Sequence, residues 1–149
     1  MNLEYEFSYG ATLKEPLQIG AGPFGTRAFF EVTGGSFEGA RLNGRLLTGG
    51  GDWLLIGPDG YGRLDVRAQF VTNDGAALYL HYTGLLHMSD KVAKALASGG
   101  ATDYGDQYFR TTPRFETGDT RYAWVNQTIF VAEGRIAPGR VEYKVYRVT

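Results

Sequence analysis

The sequence predicts an all-β fold carrying one short helix, and three observations lead there. The 149 residues include 22 glycines, 10 tyrosines and 9 phenylalanines; aromatics suit a pleated surface, and glycine supplies the positive φ of tight turns. Turn signals recur about every 8 to 12 residues, the spacing of a sandwich or an up-and-down barrel. Leu64 to Thr83 reads as a hairpin about Asn73-Asp74-Gly75. With a three-residue loop and Gly75 at positive φ, Thr72 pairs with Ala76, Arg67 lies opposite His81, and Asp65 lies opposite Thr83. Leu64, Val66, Ala68 and Phe70 then share one face with Leu78, Leu80 and Tyr82, while Asp65, Arg67, Gln69, Tyr79, His81 and Thr83 share the other. A two-residue loop at Asp74-Gly75 mixes these sets and wastes apolar burial.

The remaining elements follow in chain order. Alternation in Leu3-Glu4-Tyr5-Glu6-Phe7 puts Leu3, Tyr5 and Phe7 on one face, and it returns in Arg27 to Thr33 and in Ala40 to Leu47. Glycine-rich breaks at Gly20-Ala21-Gly22-Pro23, Gly34-Gly35 and Gly49-Gly50-Gly51, and a turn at Pro58-Asp59-Gly60, separate the strands. Ser89 to Ala97 breaks the pattern: Ser89 caps, Asp90 suits a first turn, and Val92, Ala93 and Leu96 recur at helical spacing before Gly99-Gly100. The run from Gly99 to Asp106 reads as a loop able to fold over a barrel mouth. Strands resume at Gln107 to Thr112, Tyr122 to Ala132 and Arg140 to Val148.

Composition narrows the function. A hydrophobic content of 43% in 149 residues supports one core, hence a single domain over residues 1–149. A net charge of −1 without a Lys/Arg run argues against nucleic acid and against an anionic membrane as partners. No cysteine is present, so disulfides and thiolate chemistry are excluded and no oxidising compartment is required. Met1 to Gly10 carries Glu4 and Glu6 and lacks the basic and apolar regions of a secretory signal, and no segment has the length of a membrane span. The expected location is cytoplasmic.

Three groups of residues are candidates for chemistry. In a strand from Tyr122 to Ala132, Tyr122, Trp124 and Asn126 share a face that mixes aromatic walls with hydrogen-bonding groups, as ligand pockets do; the alternative is a set of core aromatics whose polar tips bond locally. Asp52, at a predicted strand start after three glycines, is a candidate general base, or an aspartate bonding its own turn. Asp65 and Arg67, two apart on the polar hairpin face with Tyr79 and His81, form an ion pair of small value if exposed; in a lumen Arg67 can hold an oxyanion. Glu116 is a further carboxylate, with a solvated strand end as its ordinary reading. His81 and His87 lack metal-pair spacing, so no metal is expected. Gly20 to Gly25 has the letters of a dinucleotide-binding loop, but no helical pattern follows, so no cofactor is expected.

Gly34-Gly35-Ser36-Phe37-Glu38-Gly39, Gly50-Gly51-Asp52-Trp53, Leu64-Asp65-Val66-Arg67, Asn73-Asp74-Gly75, Phe115-Glu116-Thr117 and Tyr122-Ala123-Trp124-Val125-Asn126 together resemble the family known as domain of unknown function 3237. The resemblance spans nearly the whole chain. It implies a single antiparallel β-barrel of the calycin or lipocalin type, often self-associating, and no particular activity. Asp52, Asp65, Arg67, Glu116 and Asn126 fall within those motifs. The expected function is a cofactor-free enzyme doing acid/base chemistry, of lyase, isomerase or cyclase type, on a small polar or aromatic compound. Asp52 or Glu116 moves the proton, Arg67 and Asn126 stabilise an oxyanion, and Tyr79, Tyr122 and Trp124 form walls, with Asp65 and His81 as further ligand contacts. The alternatives are a lipocalin-like binding protein and a structural subunit of a homo-oligomer, with Val125, Ile129 and Val131 as its seam. Which way the polar strand face points decides how much of this site exists.

Overall fold

Eleven strands and two short helices make up the chain in the computed structural model, which describes residues 1–149. The strands are β1 (Leu3–Leu13), β2 (Leu17–Gly22), β3 (Gly25–Gly39), β4 (Asn43–Leu46), β5 (Gly50–Ile56), β6 (Tyr61–Thr72), β7 (Ala77–His87), β8 (Phe109–Thr111), β9 (Arg114–Glu116), β10 (Phe130–Ala137) and β11 (Arg140–Val148). Helix α1 (Asp90–Ser98) lies between β7 and β8, and a 3-10 helix (Thr120–Gln127) lies between β9 and β10. The circuit β6–β5–β3–β1–β11–β10–β8–β7 returns to β6, so eight antiparallel strands close a barrel. Closure leaves those strands no free edge. β4 replaces β5 between β3 and β6 toward one end, and β2 extends β3 as a hairpin.

The β6–β7 hairpin has the three-residue register. Gly75 sits at φ +93°, Thr72 N–H donates to Ala76, Arg67 pairs with His81 and Asp65 with Thr83. Leu64, Val66, Ala68, Phe70, Leu78, Leu80 and Tyr82 are all buried, so this face fills the barrel. The polar face points out. Inward residues of β1 and β11 complete one continuous core of 27 side chains. Toward one end that core is aromatic: Phe7, Phe37, Phe70, Phe115 and Phe130 meet edge to face or tilted, with centroids 4.8–6.3 Å apart. The 3-10 helix covers this end with Val125, and Arg41 lies 3.7 Å over the Trp124 ring while bonding the buried Glu6 carboxylate.

The opposite end is covered by α1. Ser89 Oγ accepts from Val92 N–H, Gly99 ends the helix in the left-handed conformation, and Val92 and Ala95 are buried against the barrel. The helix is therefore where its cap and spacing predict. Thr102 pins the following loop by exchanging bonds with the Ile136 backbone.

Three local expectations change. β3 runs through Gly34-Gly35 instead of breaking there, because it crosses close over β1: a Cβ on Gly35, at φ +138°, would lie 2.0 Å from the Gly10 carbonyl oxygen. Glycine here permits contact between strands and makes no turn. A register shift between Tyr5 and Phe7 moves Tyr5 to the surface and Phe7 inward, so Leu3, Tyr5 and Phe7 do not share a face. The predicted strand from Tyr122 to Ala132 becomes the 3-10 helix followed by β10. Asp119 accepts from Arg121 N–H to cap that helix, and the Tyr122 hydroxyl is drawn to the Asp74 carboxylate at 2.8 and 2.9 Å.

Candidate functional site

The outward polar face disperses most of the sequence-predicted site residues. Arg67 and Tyr79 are exposed, and Asp65 bonds His81 at 3.2 Å, not Arg67. Glu116 pairs across β7 with Tyr79. Tyr79, His81, Glu116 and Asn126 do come together, with Arg114 and Phe115, around a dent of about 250 Å³ on the outer wall. Asn126, however, is occupied: its amide accepts from Thr117 N–H at 2.8 Å and donates to Thr117 C=O at 2.9 Å, in the way a neighbouring strand would. Tyr122 and Trp124 are tied to Asp74 and Arg41 by the contacts described above. None of these eight residues lines the barrel interior with the ninth, Asp52.

Asp52 does reach the interior. It lies in β5 opposite Val66, and its Oδ1 accepts the Asp65 backbone N–H at 3.1 Å. The carboxyl group enters an inner chamber of about 60 Å³ whose walls include Phe30, Leu54, Phe109, Tyr82 and Tyr143. Burial in these apolar walls raises its pKa from 3.8 to about 7, against the opposing pull of the Asp65 N–H and of Arg27, and nearby Asp65 adds to the rise. The residue is half-buried, and its side chain lines the chamber. Such a group is present in both its protonated and ionised forms near neutral pH and gives or takes a proton readily there.

Two phenols, Tyr82 and Tyr143, stand beside it, and a third, Tyr9, packs against them. Tyr82 donates to the Tyr143 hydroxyl at 3.0 Å, and Tyr9 stacks on Tyr143 with its own hydroxyl buried and without a bond of good geometry, although Tyr82 is near enough to raise its pKa. Burial pushes all three phenols well above the ordinary value of 10.0, so they stay protonated. Sequence reasoning passed over them because each alternates with core aliphatics. The available signal was that a tyrosine on an otherwise apolar strand face, such as Tyr82 after Leu78 and Leu80, needs a partner for its hydroxyl inside the core.

A mouth of about 470 Å³ lies between the barrel rim and α1. It shares Leu13, Phe30, Leu54, Leu96 and Ile136 with the inner chamber, so the two adjoin. Lys14, Glu15, Gln18 and Arg140 ring this mouth. A larger concavity, about 890 Å³, is an open groove on the outer wall among Arg63, Tyr108, Arg110, Glu133 and Tyr146. Its carboxylate, Glu133, accepts from the Tyr146 hydroxyl at 3.0 Å. No group of three or more His, Asp or Glu is close enough to hold a metal ion. No helix is long and apolar enough to cross a membrane.

Comparison with known proteins places this geometry in context. A family model described as "Protein of unknown function (DUF3237)" matches residues 1–148. A UPF0311 protein of Clostridium acetobutylicum is 35% identical over 150 residues, covering 100% of this chain and 95% of the relative. The crystal structure of a beta-barrel like protein from Acinetobacter baumannii superposes with a TM-score of 0.84 at 32% identity, covering 99% of this chain and 96% of the other. The crystal structure of an enzyme from Penicillium herquei shares the fold, with a TM-score of 0.69 at 21% identity over 97% of this chain and 93% of that one.

Proposed function

The chain belongs to the DUF3237 family, and from that premise we propose that it is a cofactor-independent enzyme that binds a small, largely apolar or aromatic compound in the barrel and moves a proton with Asp52. The observation that carries this reading is a single carboxyl, at a pKa of about 7, in a chamber otherwise lined by apolar and phenolic side chains. A carboxyl in that range works as both base and acid, which suits elimination, isomerisation or ring closure. The Asp65 N–H fixes its orientation, so little reorganisation accompanies proton transfer. The mouth under α1 holds the bulk of the ligand, and the chamber admits its reacting end.

The alternative is a lipocalin-like carrier using the same cavity without chemistry. The test is deuterium incorporation from deuterium oxide into a neutral fused-ring ketone such as tetralone. Exchange accelerated by the protein and lost in Asp52→Asn is the expected result. Binding of the ketone without exchange favours the carrier, and absence of both contradicts the lumen as a ligand site.

A further inference from the structure

Building on the Asp52 reading, we propose that the Tyr143 hydroxyl, backed by Tyr82, is the hydrogen-bond donor that receives the substrate oxygen. The substrates are then neutral, largely apolar carbonyl compounds carrying an acidic C–H bond. The chamber has three polar side chains, Asp52, Tyr82 and Tyr143; its other lining residues are aliphatic or phenyl. No cation lines the chamber, so a carboxylate or phosphate at the reacting end of a substrate would meet the Asp52 charge with only the pull of Arg27 against it. With Asp52 ionised, the two phenols are the only side-chain donors available to a ligand oxygen there.

Their order is set by the bond between them. Tyr82 donates to Tyr143, and the Tyr143 proton has no acceptor within the protein, so it is the one free to bind a ligand. Accepting from Tyr82 also polarises the Tyr143 O–H, which strengthens it as a donor. Its ring is held on three sides: stacked on Tyr9 at 4.9 Å, and edge-on to Phe109 at 5.3 Å and to Tyr82 at 5.5 Å. Burial keeps both hydroxyls protonated across the working pH range.

The proton step balances without an added reactant. The Asp52 carboxylate removes the proton from carbon next to the substrate carbonyl, the C–H electron pair becomes a C=C bond, and the carbonyl π pair moves onto oxygen. The resulting enolate accepts the Tyr143 O–H while Asp52 carries the proton. Return of that proton to the same carbon gives exchange, and return to a conjugated carbon gives an isomer.

The test uses para-nitrophenol, whose phenolate carries an oxyanion on a flat ring and whose colour reports ionisation. It is titrated into Asp52→Asn, which removes the competing charge and keeps an acceptor for the Asp65 N–H, and into the same protein carrying Tyr143→Phe or Tyr82→Phe. Loss of the Tyr143 hydroxyl is expected to weaken phenolate binding at least about ten-fold, and loss of the Tyr82 hydroxyl by a smaller factor. Equal affinity with and without the Tyr143 hydroxyl, or no binding by any variant, overturns the assignment. Tyr82→Phe leaves Tyr143 in place and serves if Tyr143→Phe disturbs folding; an unchanged affinity there overturns the relay. Ketone exchange separates the two proposals. Asp52-dependent exchange with no nitrophenol discrimination removes Tyr143 alone, whereas discrimination without Asp52-dependent exchange removes the acid/base reading and leaves the donor standing.

Discussion

Asp52 differs from the other candidate carboxylates in what surrounds it. Asp65 and Glu116 look onto water, while Asp52 looks into Leu54, Val66 and Phe109. The turn role weighed for it in the sequence therefore changes: its oxygen bonds a backbone N–H thirteen residues away on β6, not its own turn. The raised pKa has a consequence for stability. Below about pH 3.8 Asp52 is protonated in both states; between there and about pH 7 the unfolded chain ionises it and the folded chain does not, so its contribution to stability falls as pH rises and then levels off. At about 1.4 kcal/mol per unit the ceiling is about 4 kcal/mol, and water reaching the half-buried residue lowers it. Asp52→Asn lacks this penalty. Urea unfolding at pH 4 and pH 8 is expected to show the variant gaining on the wild type by roughly 1 kcal/mol or more at the higher pH; a gain that is absent, or reversed, contradicts a buried ionisable Asp52. Tyr143 was illegible for a different reason. Its partner Tyr82 is 61 residues away in sequence, and no local pattern reports that bond.

At the scale of the element, the β6–β7 hairpin was legible because turn chemistry and alternation agree: Gly75 fixes the loop and one register alone buries all the apolar residues. The position of helix α1 was legible through Ser89 and Gly99, but its buried face is Val92 and Ala95, with the expected Ala93 and Leu96 exposed. Tyr122 to Gln127 was not. Its letters alternate like a strand, yet Asp74 on the distant hairpin turn and the Asp119 cap hold it as a 3-10 helix, and such contacts override local propensity. Asn126 shows what that helix does. Its amide closes the last backbone pair of the β9 segment at Thr117, where no strand is available. Asn126→Ala leaves that N–H and C=O without partners and is expected to cost about 1–3 kcal/mol in chemical unfolding, with loss of protection for the Thr117 amide in hydrogen exchange. Protection equal to wild type contradicts the structural assignment of Asn126.

Across the whole molecule the barrel is divided. Five phenylalanines fill one end, while the other narrows through a mouth under α1 to Asp52 and the tyrosines. The sequence separates the two hairpin faces correctly but does not say which one a closed barrel turns inward. Packing decides that: a narrow eight-stranded lumen filled by Leu, Val and Phe buries far more apolar area than one lined by Arg67 and Asp65. The lumen role expected of Arg67, Tyr79 and His81 is lost with that choice, and Asp52 alone crosses over because it sits on β5, not on the hairpin. If the mouth is the entry, Leu96→Trp on α1 fills it. Ketone binding is then expected to fall at least about ten-fold with the core amide spectrum unchanged; undiminished binding places the ligand elsewhere, the outer groove at Arg63 and Arg110 first.

The proposed chemistry needs a proton held inside the barrel, and the most direct measurement is the carbon NMR titration of the Asp52 carboxyl, assigned by comparison with Asp52→Asn. A midpoint near pH 7 is the predicted result. A midpoint near the ordinary aspartate value of 3.8 would mean that water solvates the group freely, and neither the apolar chamber nor the chemistry assigned to it would stand.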